Sequence, residues 1–328
     1  MERFKRRKEL KLLPGHIKMP GGNASMPHRE HVHTLPLADG MVWTFATPAD
    51  GALVPWLDEF ARILRLGNPG SPASSFAGTQ PAGRGRIRIL AMDKNHLLAG
   101  AAKSWTSYTQ GSAYRAWIHP KADEAVLELN PEFIDHPEIR YIDMSAALRI
   151  VFHHGLVSGS GCALHAASAV RNGGGIVIVA SGQTGKSTCH RRLPNTWTPL
   201  ADDCALAVKN PAGGFSVHPM PTWSNYLRKE KASVFETGTA YPLKALFFLK
   251  QDDADKAEKV APSIAAGILH RLCRESLGSF LSRFPADEKK KLGQDVFEVC
   301  WAIAAAAPGY ILRATLHGEF WREIESVL

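Results

Sequence analysis

Apolar residues along this chain fall into two patterns that alternate. Residues 41–46 hold β-branched and aromatic side chains in close succession and predict a strand. In residues 55–66 the side chains of Trp56, Phe60, Ile63 and Leu64 recur at helical spacing, which predicts an amphipathic helix with those four in the core. Residues 67–85 are rich in Gly, Pro and Ser and predict a loop, and strands are predicted at 86–92, 113–118 and 125–129. A helix then runs from Asp143, as its N-cap, to about His154, with Leu148, Val151 and Phe152 on one face and Gly155 ending it. The elements before that helix describe a small α+β domain over 36–142.

From residue 143 to 328 the pattern is that of an α/β domain. An apolar segment at 162–170 leads through Arg171-Asn172-Gly173-Gly174 into the β-branched run Gly175-Ile176-Val177-Ile178-Val179, and Asn-Gly between two such runs predicts an antiparallel hairpin. Further buried strands are predicted at 200–208 and 243–249, helices at 262–277 and 287–307, and a closing strand and helix at 310–316 and 319–327. Residues 1–35 show neither period. They are basic and then rich in Gly, Pro, Asn and His, which predicts a flexible lead-in.

Composition narrows the function classes. The 328 residues are 45% apolar and 21% charged, enough to bury two ordinary cores. A net charge of +8 favours anionic partners without choosing among them. The basic arm at Arg3, Lys5, Arg6, Arg7 and Lys8 reads as solvated, and no patch of interleaved basic and aromatic residues points to nucleic acid. No apolar stretch follows the arm and the longest apolar run, near 299–307, is too short to span a bilayer. A cytoplasmic location without membrane contact is therefore expected. Five cysteines, an odd number with no C-x-x-C pair, are expected to be reduced and mostly buried. His28, His31 and His33 lie close together, but with no Cys or carboxylate cluster to complete a metal shell they read as part of a solvated segment.

The chemistry is concentrated in the second half. Ala180-Ser181-Gly182-Gln183-Thr184-Gly185-Lys186-Ser187 fits the phosphate-loop pattern G-x-x-x-x-G-K-[ST], with Ala180 in place of the first glycine. A small residue suffices where the strand ends, while Gly182 and Gly185 give the tight turns that let backbone N–H groups converge on phosphate. A helix starting near Lys186 adds its dipole, Lys186 brings a point charge to the β- and γ-phosphates, and the Ser187 hydroxyl completes a magnesium shell. The nucleotide-binding set is thus Ser181, Gly182, Gln183, Thr184, Gly185, Lys186, Ser187 and Thr188, and ATP with Mg2+ is implied. Further on, the strand at 199–203 ends in Asp202 and Asp203; adjacent carboxylates there call for a cation or a shared proton, unless they only cap a turn. His165, on the partner strand of the hairpin, is placed towards the phosphate end, although a lone histidine among Leu164, Ala166 and Ala167 also suits a core role.

Leu164-His165-Ala166, the strand 175–179, the loop 180–187 and Leu200-Ala201-Asp202-Asp203, in this order, resemble the HPr kinase/phosphorylase catalytic domain. The resemblance implies a P-loop kinase domain of the HPr kinase / phosphoenolpyruvate carboxykinase type beside the smaller N-terminal α+β domain. It also implies roles: Asp202 as the base that takes the hydroxyl proton, His165 orienting that hydroxyl or contacting phosphate, Lys186 stabilising transferred charge, and Ser187 with Asp203 on the metal. Arg191-Arg192-Leu193-Pro194 and the stretch from Val217 to Ser224 look like a narrower branch, the SynChlorMet cassette proteins of peptide-modification clusters. That likeness implies an ATP- and Mg-dependent kinase acting on a Ser or Thr hydroxyl of a ribosomally made peptide, with radical-chemistry enzymes of the same cluster as partners. The alternative is a nucleotide-binding accessory ATPase of a peptide-maturation complex that transfers no phosphate. His218, Trp223, Arg191, Arg192 and Arg228 are weaker candidates for substrate contact, and the oligomeric state is left open.

Overall fold

The computed structural model describes residues 29–68, 82–92, 105–110, 113–223, 234–282 and 284–328. Among them are fifteen strands in two sheets and six α-helices, a mixed α/β architecture. The first sheet comprises β1 (Glu30–Pro36), β2 (Met41–Pro48), β3 (Gly83–Ala91), β4 (Thr106–Gln110), β5 (Tyr114–Ile118) and β6 (Glu124–Leu129), in the order β1-β2-β3-β6-β5-β4. Its centre, β2-β3-β6, is parallel and its outer pairs are antiparallel. The crossover from β2 to β3 passes through α1 (Val54–Leu64), which starts with a proline in its first turn and ends at Arg65 in the left-handed region, φ 46°. Trp56, Leu57, Phe60, Ile63 and Leu64 point into the core, each contributing about 1.5–3 kcal/mol of burial.

The predicted lead-in requires a correction. Residues 30–36 form β1 and pair one for one with β2, and Leu35 is fully buried. The alternation of His31 and His33 with Val32 and Thr34 is too weakly apolar to stand out; the ladder to β2 is what fixes it. The basic arm, His28 and Arg228 lie outside the described residues.

The second sheet is organised on β13 (Tyr241–Gln251), whose C-terminal part pairs in parallel with β9 (Gly174–Val179) on one side and β15 (Gly309–Ala314) on the other. Every residue of β9 is buried, as a central parallel strand requires. Outside β9 lie β8 (Ala166–Arg171) and β10 (Thr198–Ala201); outside β15 lies β14 (Lys256–Val260). At its N-terminal end β13 instead pairs with β12 (Phe215–Pro219), followed by β11 (Ala205–Lys209) and β7 (Gly161–Leu164), so the sheet branches. The predicted hairpin is present: β8 and β9 pair antiparallel, and Asn172 and Gly173 both take positive φ, 51° and 74°.

Two further expectations change. The apolar runs at 162–170 and 200–208 are not single strands; each is broken, the first at His165 and the second at residues 202–204. Both breaks occur at polar residues that a buried ladder cannot hold, and both mark a change of branch: Ala201 faces Ser168 on one branch, Ala205 faces Leu164 on the other. The helix expected from Asp143 is α2 (Pro137–Val157), so Asp143 sits buried in its second turn rather than at its cap, and Gly155 lies inside it. Gly155 marks close packing instead of an end, since a Cβ there would stand 3.0 Å from the Gly161 carbonyl oxygen.

The remaining helices are α3 (Lys186–Arg192), α4 (Pro262–Leu281), α5 (Ala286–Ala306) and α6 (Phe320–Ser326). One buried apolar cluster runs from Trp43 and Phe60 through Leu148 and Leu164 to Leu269 and Val299, so both sheets share a core. Among the described residues no helix is long and apolar enough to cross a membrane.

Candidate functional site

The loop between β9 and α3 curls as its sequence demands. Gln183 has φ 63° and Gly185, the residue before the helix, φ 102°. Alternating helical-sign changes of this kind turn successive N–H groups towards one side and make a nest for anions. Gly182 has nothing within 4 Å of where a Cβ would lie, so it faces open space. Thr184 Oγ1 donates to the Ser181 carbonyl at 2.9 Å and Gln251 Nε2 donates to the Thr184 carbonyl at 3.3 Å, pinning the curl. Ser187 and Thr188, in the first turn of α3, are half-buried.

Lys186 is 5% exposed. Its Nζ donates to the carbonyls of Ala180 at 2.7 Å and Ser181 at 2.9 Å, which leaves one of three N–H groups for a phosphate oxygen. Burial lowers the pKa of the ammonium, and the field of Asp203 opposes that shift. The donor set therefore fits a polyphosphate: a curled run of N–H groups, a buried cation and a helix start. The Ser187 hydroxyl and the Asp203 carboxylate are hard oxygen groups of the kind magnesium takes as ligands.

His165 and Asp203 meet at the joint between the branches. His165 Nε2 lies 3.0 Å from Asp203 Oδ1, and this hydrogen bond, helped by the charge of Lys186, holds the Asp203 carboxyl below the usual range against desolvation. Asp202 points elsewhere. Its Oδ1 accepts from Thr222 Oγ1 at 2.5 Å, and its charge acts on His190 of α3, whose pKa burial lowers. Thus His165, Asp203 and Lys186 form one electrostatic unit, and Asp202 flanks it with Thr222 and His190. A histidine and a carboxylate in contact either share a proton or hold a cation between them.

Several members of this neighbourhood escape sequence reasoning. Glu275 of α4 accepts from Ser181 Oγ at 3.0 Å and pairs with Arg271, although it lies 94 residues from the loop. His190 carried no motif and Thr222 only its place in the cassette-like stretch from Val217 to Ser224, but polar residues interrupting the apolar runs at 165 and 202–203 were the signal that a site forms there. Beside the loop, a cavity of 730 Å³ is lined by Thr184, Gly185, Thr188, Arg192, Gln251 and Asp252.

Other candidates resolve differently. His218 is fully buried; its Nε2 accepts from the Ala38 N–H at 3.0 Å and its Nδ1 donates to the Thr237 carbonyl at 2.8 Å. It ties β12 to the turn after β1 and touches no surface a substrate could reach. Arg192 donates to the carbonyls of Thr315 and Gly318 and lies over the rings of Phe320 and Trp321, an anchor for α6. Arg191 is exposed. His31 and His33 both reach Asp58 of α1, at 2.6 and 3.2 Å, so a carboxylate from a helix completes a set that could hold a metal. All five cysteines are free, four of them buried, with Cys162 and Cys273 sulfurs 3.7 Å apart.

Residues 127–328 match the family model described as SynChlorMet cassette protein ScmC, a span that includes the loop, His165, both aspartates and all of α2. No curated protein matches the chain.

Proposed function

The chain belongs to the SynChlorMet cassette protein ScmC family, and from that premise we propose that it is a P-loop kinase, related in fold to HPr kinase, that moves the γ-phosphoryl group of ATP to a Ser or Thr hydroxyl of a peptide. One observation carries this reading: a buried lysine at the start of α3 acts electrostatically on a carboxylate that is hydrogen-bonded to a histidine.

In this reading the loop N–H groups and Lys186 hold the β- and γ-phosphates, and the 730 Å³ cavity beside Thr188 offers room for the nucleoside. Ser187 and Asp203, with His165 next to them, would hold magnesium, which when bound offsets the charge of the phosphate oxygens. The acceptor oxygen forms a bond to the γ-phosphorus as the bond from that phosphorus to the ADP oxygen breaks, and the hydroxyl proton passes to Asp202. Thr222 fixes Asp202 through Oδ1, and Oδ2 is the oxygen that takes the proton. Charge on the transferring group is stabilised by dipoles already in place, so little reorganisation is needed.

The test uses the full chain, Mg2+, γ-labelled ATP and hydroxyl-bearing peptides. Label is expected on peptide with the native chain and not with Lys186→Ala. Asp202→Asn is expected to keep the calorimetric heat of MgATP binding while losing transfer by about 100-fold or more, whereas Asp203→Asn weakens the Mg-dependent part of binding. Release of free phosphate at a rate no peptide alters would instead favour an accessory ATPase.

A further inference from the structure

His165 and Asp203 line a second cavity, of 340 Å³, that shares no lining residue with the one beside the phosphate loop. Its floor is one face of α2, where Ser145, Leu148, Arg149 and Phe152 follow the i, i+3, i+4, i+7 spacing of a single helical stripe. Its other walls are Leu164, Met220, Pro221 and Trp223, and its polar end is His165 with Asp203. The lining is mainly apolar, as a pocket that grips a side chain requires. Arg149 is the exception. It is half-buried, lines the cavity, and has no hydrogen bond or ion pair among the described residues. A guanidinium beside an apolar cavity with no counter-charge keeps its donors open, and an incoming carboxylate would meet them with paired, charge-assisted hydrogen bonds.

We propose that this cavity selects the acceptor: it takes a peptide segment in which a bulky apolar side chain and a carboxylate flank the hydroxyl residue. The apolar side chain fills the space between Leu148, Phe152 and Trp223, the carboxylate meets Arg149, and the hydroxyl is left at the His165–Asp203 end, where the wall residues Pro221 and Trp223 flank Thr222, the hydrogen-bond partner of Asp202. The assignment rests on the phosphoryl-transfer reading of the same site, but its binding test does not need nucleotide.

Dye-labelled pentapeptides built around Leu-Ser-Glu, Leu-Ser-Gln and Ala-Ser-Glu, together with peptides ending in Leu-Ser as free acid or as amide, are titrated against the full chain by fluorescence anisotropy. The carboxylate-bearing Leu peptides are expected to bind about tenfold or more tighter than their neutral or Ala counterparts; the Glu and free-acid arms tell a side-chain carboxylate from a chain end. Arg149→Gln should erase that preference, and Arg149→Glu should turn it towards Leu-Ser-Lys. Both variants should keep the native circular dichroism and MgATP heat. The native chain's own ranking of peptides is decisive even if a variant fails to fold. No binding of any of these peptides to the native chain, or the same ranking with Arg149→Gln, overturns the proposal. A native chain that ranks peptides as expected but gives no heat with MgATP would leave the pocket standing and remove the kinase reading instead.

Discussion

Lys186 and Glu275 act on the loop with opposite signs. The lysine is buried among loop carbonyls, while the Glu275 carboxylate is held 3.0 Å from Ser181 Oγ at the rim of the same nest. A negative charge beside a polyphosphate site opposes its ligand, only partly offset by the exposed Arg271. Glu275→Gln is therefore expected to tighten MgATP binding severalfold by calorimetry, and unchanged or weaker affinity would show that the carboxylate matters through the shape of the loop. Buried titratable groups elsewhere set the pH response. Burial lowers His218 and His153 to about 4 and raises Asp143 to about 7. Between pH 4 and 6.5 the unfolded chain binds two protons more at the histidines and one fewer at the aspartate, a net excess of one. Stability should then fall as pH drops through this window by about 1.4 kcal/mol per unit. Asp143→Asn removes the opposing group and should roughly double that slope, as read from urea midpoints at pH 5 and pH 6.

At the scale of elements, legibility followed how locally each feature is determined. The hairpin and the phosphate loop were readable because Asn172-Gly173 and Gly182 to Ser187 specify their own backbone. β1 was not, since its residues have little apolar alternation and depend on β2 for pairing. The breaks at His165 and at 202–204 were hidden inside apolar runs, because a change of partner strand leaves composition untouched. Arg149 is one polar position on a helix in the sequence; only β7 and the segment that follows β12 make its stripe a cavity wall. Close packing of the branches also gives a direct test. A Cβ at Gly175 would stand 2.5 Å from Val217 Cγ1 and 3.2 Å from Tyr241 Cβ, where β9 passes under the start of the other branch. Gly175→Ala is expected to destabilise by about 1–3 kcal/mol in denaturant titration, and a neutral result would mean that the branches give way easily.

Across the whole molecule, the buried cluster does not stop at the first sheet. It passes from Trp43 and Phe60 to α2 and on to α4 and α5, and His218 fastens the turn after β1 to β12. A core shared in this way favours one cooperative transition. Calorimetry is expected to show a single peak for the native chain, and Trp43→Ala, far from the loop, should lower the temperature at which MgATP binding is lost; two separate peaks would show halves that fold independently.

The twin joints in the branched sheet carry a mechanical consequence. β7 hands over to β8, and β10 to β11, within three residues or fewer, at the level where His165 meets Asp203. The branches are joined through β13, which pairs with both, and at the opposite side the imidazole–carboxylate contact bridges the two joints. The two side chains stand at a crease, and whatever presses on either flap, an ion, a phosphate or an incoming chain, is felt there first.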